Sequence, residues 1–244
     1  AYRVIGSGPS DLLYFFGLGS HVDMYSDEGV LGGFLDALAS FSSRGPAGTL
    51  NLLKPDITAP GSQILAAVSD TVSVTGSPNA IALFSGTSMA SPHQAGAAML
   101  IRQARPTWTP PEIKSALALT AAQTVLLEDQ VTPANPFARG SGRVQVDRAI
   151  NSGLVMNETT ANYTAANPAL AGGDPTKLNQ PNLFNRSCFP TCVFFRTFRN
   201  TGATATTYRV QLVGLSGAVT PFITVPGNGS LTVKFTVYGF SLPA

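Results

Sequence analysis

A chain of 244 residues can bury a substantial core and suits one large domain or one and a half smaller ones. Charged residues are only 11% and the net charge is +2, which leaves no electrostatic footprint for nucleic acid or for an anionic membrane surface. At 44% hydrophobic residues the composition excludes disorder, 24 Gly and 18 Pro favour turns over a helical bundle, and no uncharged apolar run approaches the roughly 18 residues of a membrane span.

Ala1-Tyr2-Arg3 is neither an initiator Met nor a basic leader, so the chain is expected to be the interior or the processed product of something longer. Val4-Ile5-Gly6-Ser7-Gly8 reads as a short strand ending in a turn, Leu12 to Phe16 as an apolar cluster, and Phe34 to Leu38 as helical or extended. The rest of 1–38 carries no pattern. Ala39-Ser40-Phe41-Ser42-Ser43-Arg44-Gly45-Pro46 predicts a strand stopped by a Gly-Pro turn, Lys54-Pro55-Asp56-Ile57-Thr58-Ala59-Pro60-Gly61 a second with a Pro-Gly stop, and Ile64 to Val68 a third.

The apolar run Ala80 to Phe84 then leads through a small-residue turn into an Ala-rich helical pattern reaching about Arg105. Ser88 falls at the junction, where the first N–H groups of a helix lack carbonyl partners and its dipole is positive, so an oxyanion forming beside Oγ would be stabilised. Gly86 is expected to permit the turn, Ala90 and Ala95 to Ala98 to let the helix run close to a sheet, and Pro92 to be tolerated within the first turn. For a lone Gly-Thr-Ser, helix capping would suffice. Here Gly86-Thr87-Ser88-Met89-Ala90-Ser91-Pro92-His93, with Ala95-Gly96-Ala97, resembles the nucleophile motif of the subtilisin-like serine peptidases, the subtilases, and implies that Ser88 is the acylating nucleophile. The phrases at 39–46 and 54–61 also resemble segments preceding the nucleophile in subtilases that carry an inserted protease-associated domain, which implies a region supporting the substrate cleft.

Thr109-Pro110-Pro111-Glu112 predicts a capping box opening a helix to about Ala122, buried through Ile113, Ala116, Leu117 and Thr120, with Trp108 packing the joint between the two helices. Pro136 to Ile150 reads as glycine turns, a short strand and a helix capped by Asp147, and resembles the end of the subtilase catalytic domain. Gly140-Ser141-Gly142 lacks a following Lys-Ser/Thr and is no phosphate loop. Residues 151–186, rich in Asn, Thr, Ala and Pro, read as a linker. Beyond them the period becomes two: Tyr208, Val210 and Leu212, then Leu231, Val233, Phe235 and Val237, with further strands at Phe194 to Arg199 and Phe222 to Val225. Phe195-Arg196-Thr197-Phe198-Arg199-Asn200-Thr201-Gly202 resembles the opening of the fibronectin type III-like domain behind many subtilase catalytic domains. The chain stops at Pro243-Ala244, short of a full sandwich, so strands are expected to be missing. Cys188 and Cys192 suit a disulfide of an exported protein, two free thiols, or half of a metal site. Asn157-Glu158-Thr159, Asn162-Tyr163-Thr164, Asn185-Arg186-Ser187 and Asn228-Gly229-Ser230 fit the N-glycosylation pattern, which has meaning only in a eukaryotic secretory pathway.

A serine nucleophile needs a histidine to take its proton and a carboxylate to orient that histidine. In subtilases the order is Asp, His, Ser, so both partners should precede Ser88. The only upstream histidine is His21, in Leu18-Gly19-Ser20-His21-Val22-Asp23, and alignment with the family's histidine motif sets Leu18 at the catalytic position and His21 at a non-catalytic one. Asp11, Asp23, Asp27 and Asp36 lack the family's carboxylate context. His93 lies about 140° around the helix from Ser88. The triad Asp and His and the side-chain oxyanion donor are thus not found.

The expected fold class is α/β, an incomplete subtilisin-like parallel-sheet domain followed by a small antiparallel β-sandwich. The expected domains are 1–150, the C-terminal part of a subtilase catalytic domain with 1–38 unassigned; 151–186, a linker; and 187–244, a truncated fibronectin type III-like sandwich. The resemblance implies a secreted serine endopeptidase acting on polypeptides, inactive as this chain alone because the upstream part of the same protein must supply the missing partners. It implies no cofactor; calcium is frequent in the family, but no ligand cluster can be picked out. The alternatives are a degenerate, non-catalytic relative acting as a binding or structural module, and an unrelated α/β binding domain.

Overall fold

The computed structural model describes residues 2–5, 12–15, 36–69, 81–213 and 216–239. His21, Asp11, Asp23 and Asp27 lie outside the described residues. The chain divides into two units: one formed by 1–43, 59–96 and 124–134, the other by 44–58, 97–123 and 135–244. These cut across the linear division expected at 150.

In the first unit, β1 (Tyr2–Ile5) pairs antiparallel with β2 (Leu12–Phe15), and β3 (Ile64–Ala67) pairs antiparallel with β4 (Ile81–Phe84) in the register Ile64↔Phe84 to Ala67↔Ile81. Parallel pairing among the described residues is limited to two isolated bridges, Ala37↔Leu126 here and Thr58↔Arg143 in the second unit. The parallel sheet expected for the catalytic part is therefore not observed among the described residues. The strands expected within 39–46 and 54–61 are likewise absent: 39–50 is irregular chain with turns at 40–41 and 48–49, and only Thr58 of the second phrase enters a bridge. Their alternation is broken by Gly45, Pro46, Pro55 and Pro60, and proline has no N–H to offer a ladder.

Helix α1 (Thr87–Ala104) runs on into the second unit. There α2 (Pro110–Leu119) opens on the predicted capping box: Thr109 Oγ1 accepts from Glu112 N–H at 3.3 Å and Glu112 Oε2 accepts from Thr109 N–H at 2.9 Å. It stops at Leu119 rather than Ala122: Thr120 is its C-cap, and Ala122 N–H leaves the helical pattern for Arg143 O at 2.8 Å. Trp108 is buried at the α1–α2 joint under the Arg105 guanidinium, 5.7 Å from its ring centroid. Two short helices follow, α3 (Pro136–Arg139), capped by Asn135, and α4 (Val146–Ile150). The strand expected between them is missing, and Asp147 stands inside the first turn of α4 without capping it. Gly142, at φ +119°, brings its backbone against residue 122, where an added Cβ would meet Ala122 O at 2.1 Å.

The stretch read as a linker is built into the second unit. It holds β5 (Leu154–Val155), α5 (Thr160–Ala165) and a 3₁₀ turn at Pro175–Lys177, with Val155, Met156, Glu158 and Leu178 buried. The rest of the unit is antiparallel: β6 (Thr191–Asn200), β7 (Thr206–Arg209), β8 (Gly217–Val219), β9 (Phe222–Val225) and β10 (Ser230–Tyr238). One sheet has the order β5-β6-β10-β8 and the other pairs β7 with β9. Ile223 and Val225 of the smaller sheet and Val233 of the larger form a shared core with Phe198, Leu231 and Phe235. Cys188 and Cys192 form a disulfide, Cα atoms 5.2 Å apart, so the free-thiol and metal readings fall. No helix among the described residues is long and apolar enough to cross a membrane.

Candidate active site

The residues around Ser88 are held by a ribbon, a turn and a helix. β4 ends at Phe84 and delivers Ser85 and Gly86 to the start of α1. Two bonds clamp this turn to the segment entering β3: Gly86 N–H donates to Gly61 O at 2.7 Å, and Gln63 N–H donates to Ser85 Oγ at 2.8 Å. Gln63 adopts φ +53°, which aims its N–H across the ribbon. Gly61 is the position of closest approach, since a Cβ there would meet Gly86 O at 2.8 Å and Ala90 Cβ at 3.1 Å. Gly86 itself has room, with ordinary contacts at 3.6 Å and beyond. The expectation that Gly86 permits the turn is thus corrected: the glycine the turn demands is Gly61, which the sequence marked only as the stop of the preceding strand.

Ser88 is the second residue of α1 and is exposed. Neither its hydroxyl nor its N–H is hydrogen-bonded among the described residues, whereas Met89 N–H and Ala90 N–H both turn back to Gly86 O, at 3.0 and 3.3 Å. The first turn contains no acidic side chain, so nothing on α1 offsets the positive end of an 18-residue helix. An N–H there, beside an exposed hydroxyl, can stabilise negative charge on an oxygen bound next to Oγ.

Pro92 is the sixth helical residue, in the second turn rather than the first. Having no N–H, it leaves the Ser88 carbonyl without its usual helical donor. Of α1 only Ala97 and Ile101 are buried, Met99 is 72% exposed and a Cβ on Gly96 would touch nothing. The close packing expected from its small residues is not observed among the described residues.

The described candidates for a base are occupied elsewhere. His93 Nδ1–H donates to Met89 O at 2.8 Å, one turn back along the helix. Asp36 Oδ2 accepts from Thr124 Oγ1 at 3.3 Å, and its carbonyl accepts from Leu126 N–H. Among the described residues no histidine or carboxylate is hydrogen-bonded to Ser88, and no three His, Cys, Asp or Glu side chains converge as a metal site would need. The serine singled out in the sequence is therefore placed in a suitable local geometry, and among the described residues no base or carboxylate is brought to it.

A model of the subtilase family matches residues 34–170. The chain belongs to the subtilase family. Among curated proteins it is similar to subtilisin-like proteases SBT1.6 and SBT4.12 of Arabidopsis thaliana, 34% identical over 212 residues and 36% over 241. The matches take in 72% and 82% of this chain but only 28% and 32% of those subtilases. Among solved structures, fervidolysin of Fervidobacterium pennivorans, a keratinolytic enzyme related to subtilisin, shares 17% identity with a TM-score of 0.29, over 72% of this chain and 22% of that one.

Proposed function

We propose that this chain is the nucleophile-bearing, C-terminal part of a subtilisin-like serine endopeptidase, with Ser88 as the acylating residue. The observation that carries this is the placement of Ser88: an exposed hydroxyl and an unbonded N–H together in the first turn of α1, within the family's motif. In the complete protein a histidine from the upstream part takes the Ser88 proton as Oγ attacks the scissile carbonyl. A carboxylate orients that histidine, and the tetrahedral oxyanion accepts from Ser88 N–H. Collapse expels the amine half of the substrate, and water then releases the acyl group from Ser88. The relatives' names as proteases support polypeptide substrates, and the Cys188–Cys192 disulfide supports export. The two antiparallel sheets, built from 187–239 with β5 added at one edge, and their shared core support a fibronectin type III-like sandwich behind the catalytic part.

A hydroxyl without its base is a poor nucleophile, so the chain alone is inactive. Casein hydrolysis checks this directly: the complete protein cleaves and its Ser88→Ala form does not, while the isolated chain shows no hydrolysis above background. Robust cleavage by the isolated chain that disappears in Ser88→Ala would contradict it. Equal loss of cleavage in the complete protein and its Ser88→Ala form would favour the reading as a non-catalytic relative.

A further inference from the structure

Four Asn-X-Ser/Thr sequences occur in the chain, and the fold uses them differently. Asn157 Oδ1 accepts from Thr109 Oγ1 at 2.7 Å and from Glu158 N–H at 2.9 Å, and the Thr159 hydroxyl of the same sequence caps α5 through Asn162 N–H. Asn162 Nδ2 donates at 2.6 Å to the buried Glu158 carboxylate, and Thr164 Oγ1 donates to Thr160 O. Asn185 is half-buried and its Oδ1 accepts from Ser187 N–H at 2.9 Å. In three of the four, then, the acceptor asparagine already serves the fold.

The fourth differs. Asn228 stands at φ +52° in the tight Pro226-Gly227-Asn228-Gly229 turn joining β9 to β10, closed by Gly229 N–H to Pro226 O at 3.0 Å. The backbone is anchored by Asn228 N–H to Gly202 O at 2.8 Å, and Asn228 and Ser230 are both exposed. Neither the Asn228 amide nor the Ser230 hydroxyl is hydrogen-bonded among the described residues. The left-handed conformation suits an Asn at 228, and both the side-chain amide and the Ser230 hydroxyl are left facing solvent.

We propose that Asn228 is an N-glycan acceptor when the protein passes through a eukaryotic secretory pathway. The donor is a lipid-pyrophosphate-linked oligosaccharide. Nδ2 bonds to its anomeric carbon, the bond from that carbon to the pyrophosphate oxygen breaks, and Nδ2 loses a proton while the lipid pyrophosphate leaves. At this turn the finished glycan projects into solvent and no hydrogen bond of the folded chain is given up. The inference rests on export and not on the peptidase reading, and its readout is independent of activity.

The full chain, directed into the secretory pathway of insect cells, is collected from the medium and compared before and after peptide N-glycosidase. Wild type is expected to show a glycosidase-sensitive mobility step, with the sugar mapped to residue 228 by peptide mass spectrometry. Asn228→Gln and Ser230→Ala each lose that step, and Ser230→Thr keeps it. Ser230→Ala leaves the left-handed residue untouched, so the test stands even where Asn228→Gln disturbs the turn. An unmodified Asn228 peptide from secreted wild type, or unchanged occupancy of 228 in Ser230→Ala, overturns the proposal.

Discussion

The geometry of Ser88 depends on a residue that carries no functional group. Gly61 lets the Pro60 turn lie against Gly86, and an alanine there must push Gly86 O from a 2.8 Å approach, displacing the turn that feeds α1. A misplacement of about 1 Å at a reacting group can cost about 100-fold in rate. Gly61→Ala in the complete protein is therefore expected to slow peptide hydrolysis by on the order of 10- to 100-fold; an unchanged rate would separate the turn from the nucleophile. Asp56 tests a different residue-scale claim. Burial raises its pKa, but hydrogen bonds and charge from Lys54 and Lys114, the latter at 2.9 Å, outweigh that and hold it below the ordinary carboxylate value. A depressed folded pKa contributes stability that is present above the unfolded value, near 3.8, and is lost as pH falls through the folded one. Lys114→Met raises the folded pKa, so the acid unfolding midpoint followed by circular dichroism is expected to move to higher pH. An unmoved midpoint would show that the ion pair contributes nothing.

Among the elements, α2 shows how far local pattern reaches. Thr109 and Glu112 announced their capping box, because both members lie within one turn and the bonds are set by spacing. The second role of Glu112 was not legible: its Oε1 accepts from Arg199 Nε of β6 at 2.7 Å, a partner 87 residues away. Glu112 is 4% exposed, and removing one partner of such a pair strands the other, typically at a cost of about 3 kcal/mol. Glu112→Ala is expected to destabilise the second unit by about that much in urea unfolding, and a loss under about 1 kcal/mol, the value of a cap alone, would show that Arg199 is solvated rather than bound. The same limit hid the order in 151–186. Its backbone carbonyls surround the Arg196 guanidinium, with Gln180 O at 2.6 Å, Asn182 O at 3.1 Å and Thr176 O at 3.3 Å. Burial draws that guanidinium's pKa down to about 10, opposed by the charge of Glu158, and it remains protonated at neutral pH. Carbonyl contacts leave no trace in side-chain periodicity, so an Asn- and Pro-rich stretch reads as linker while it is held in place. The strands β6, β9 and β10 were legible for the opposite reason: one face of each packs on a shared core, and alternation records that directly.

At the scale of the molecule, the chain is, under the proposed function, one portion of a longer protein. It spans 28% and 32% of two related subtilases, and β4 carries Ile81, Leu83 and Phe84 exposed at 66%, 48% and 40%. Such a ribbon suits further chain of the same catalytic domain packing upon it. The placement of Ser88 was legible because a dozen contiguous residues specify a strand, a turn and a helix start. A base and a carboxylate to pair with it were not, since a triad is assembled by tertiary structure from separate segments. The most direct measurement is covalent labelling with a fluorophosphonate probe, mapped by peptide mass spectrometry. A single adduct on Ser88 is expected in the complete protein and none on the isolated chain; an adduct on another serine of the complete protein, with Ser88 unmodified, would contradict the role given to Ser88.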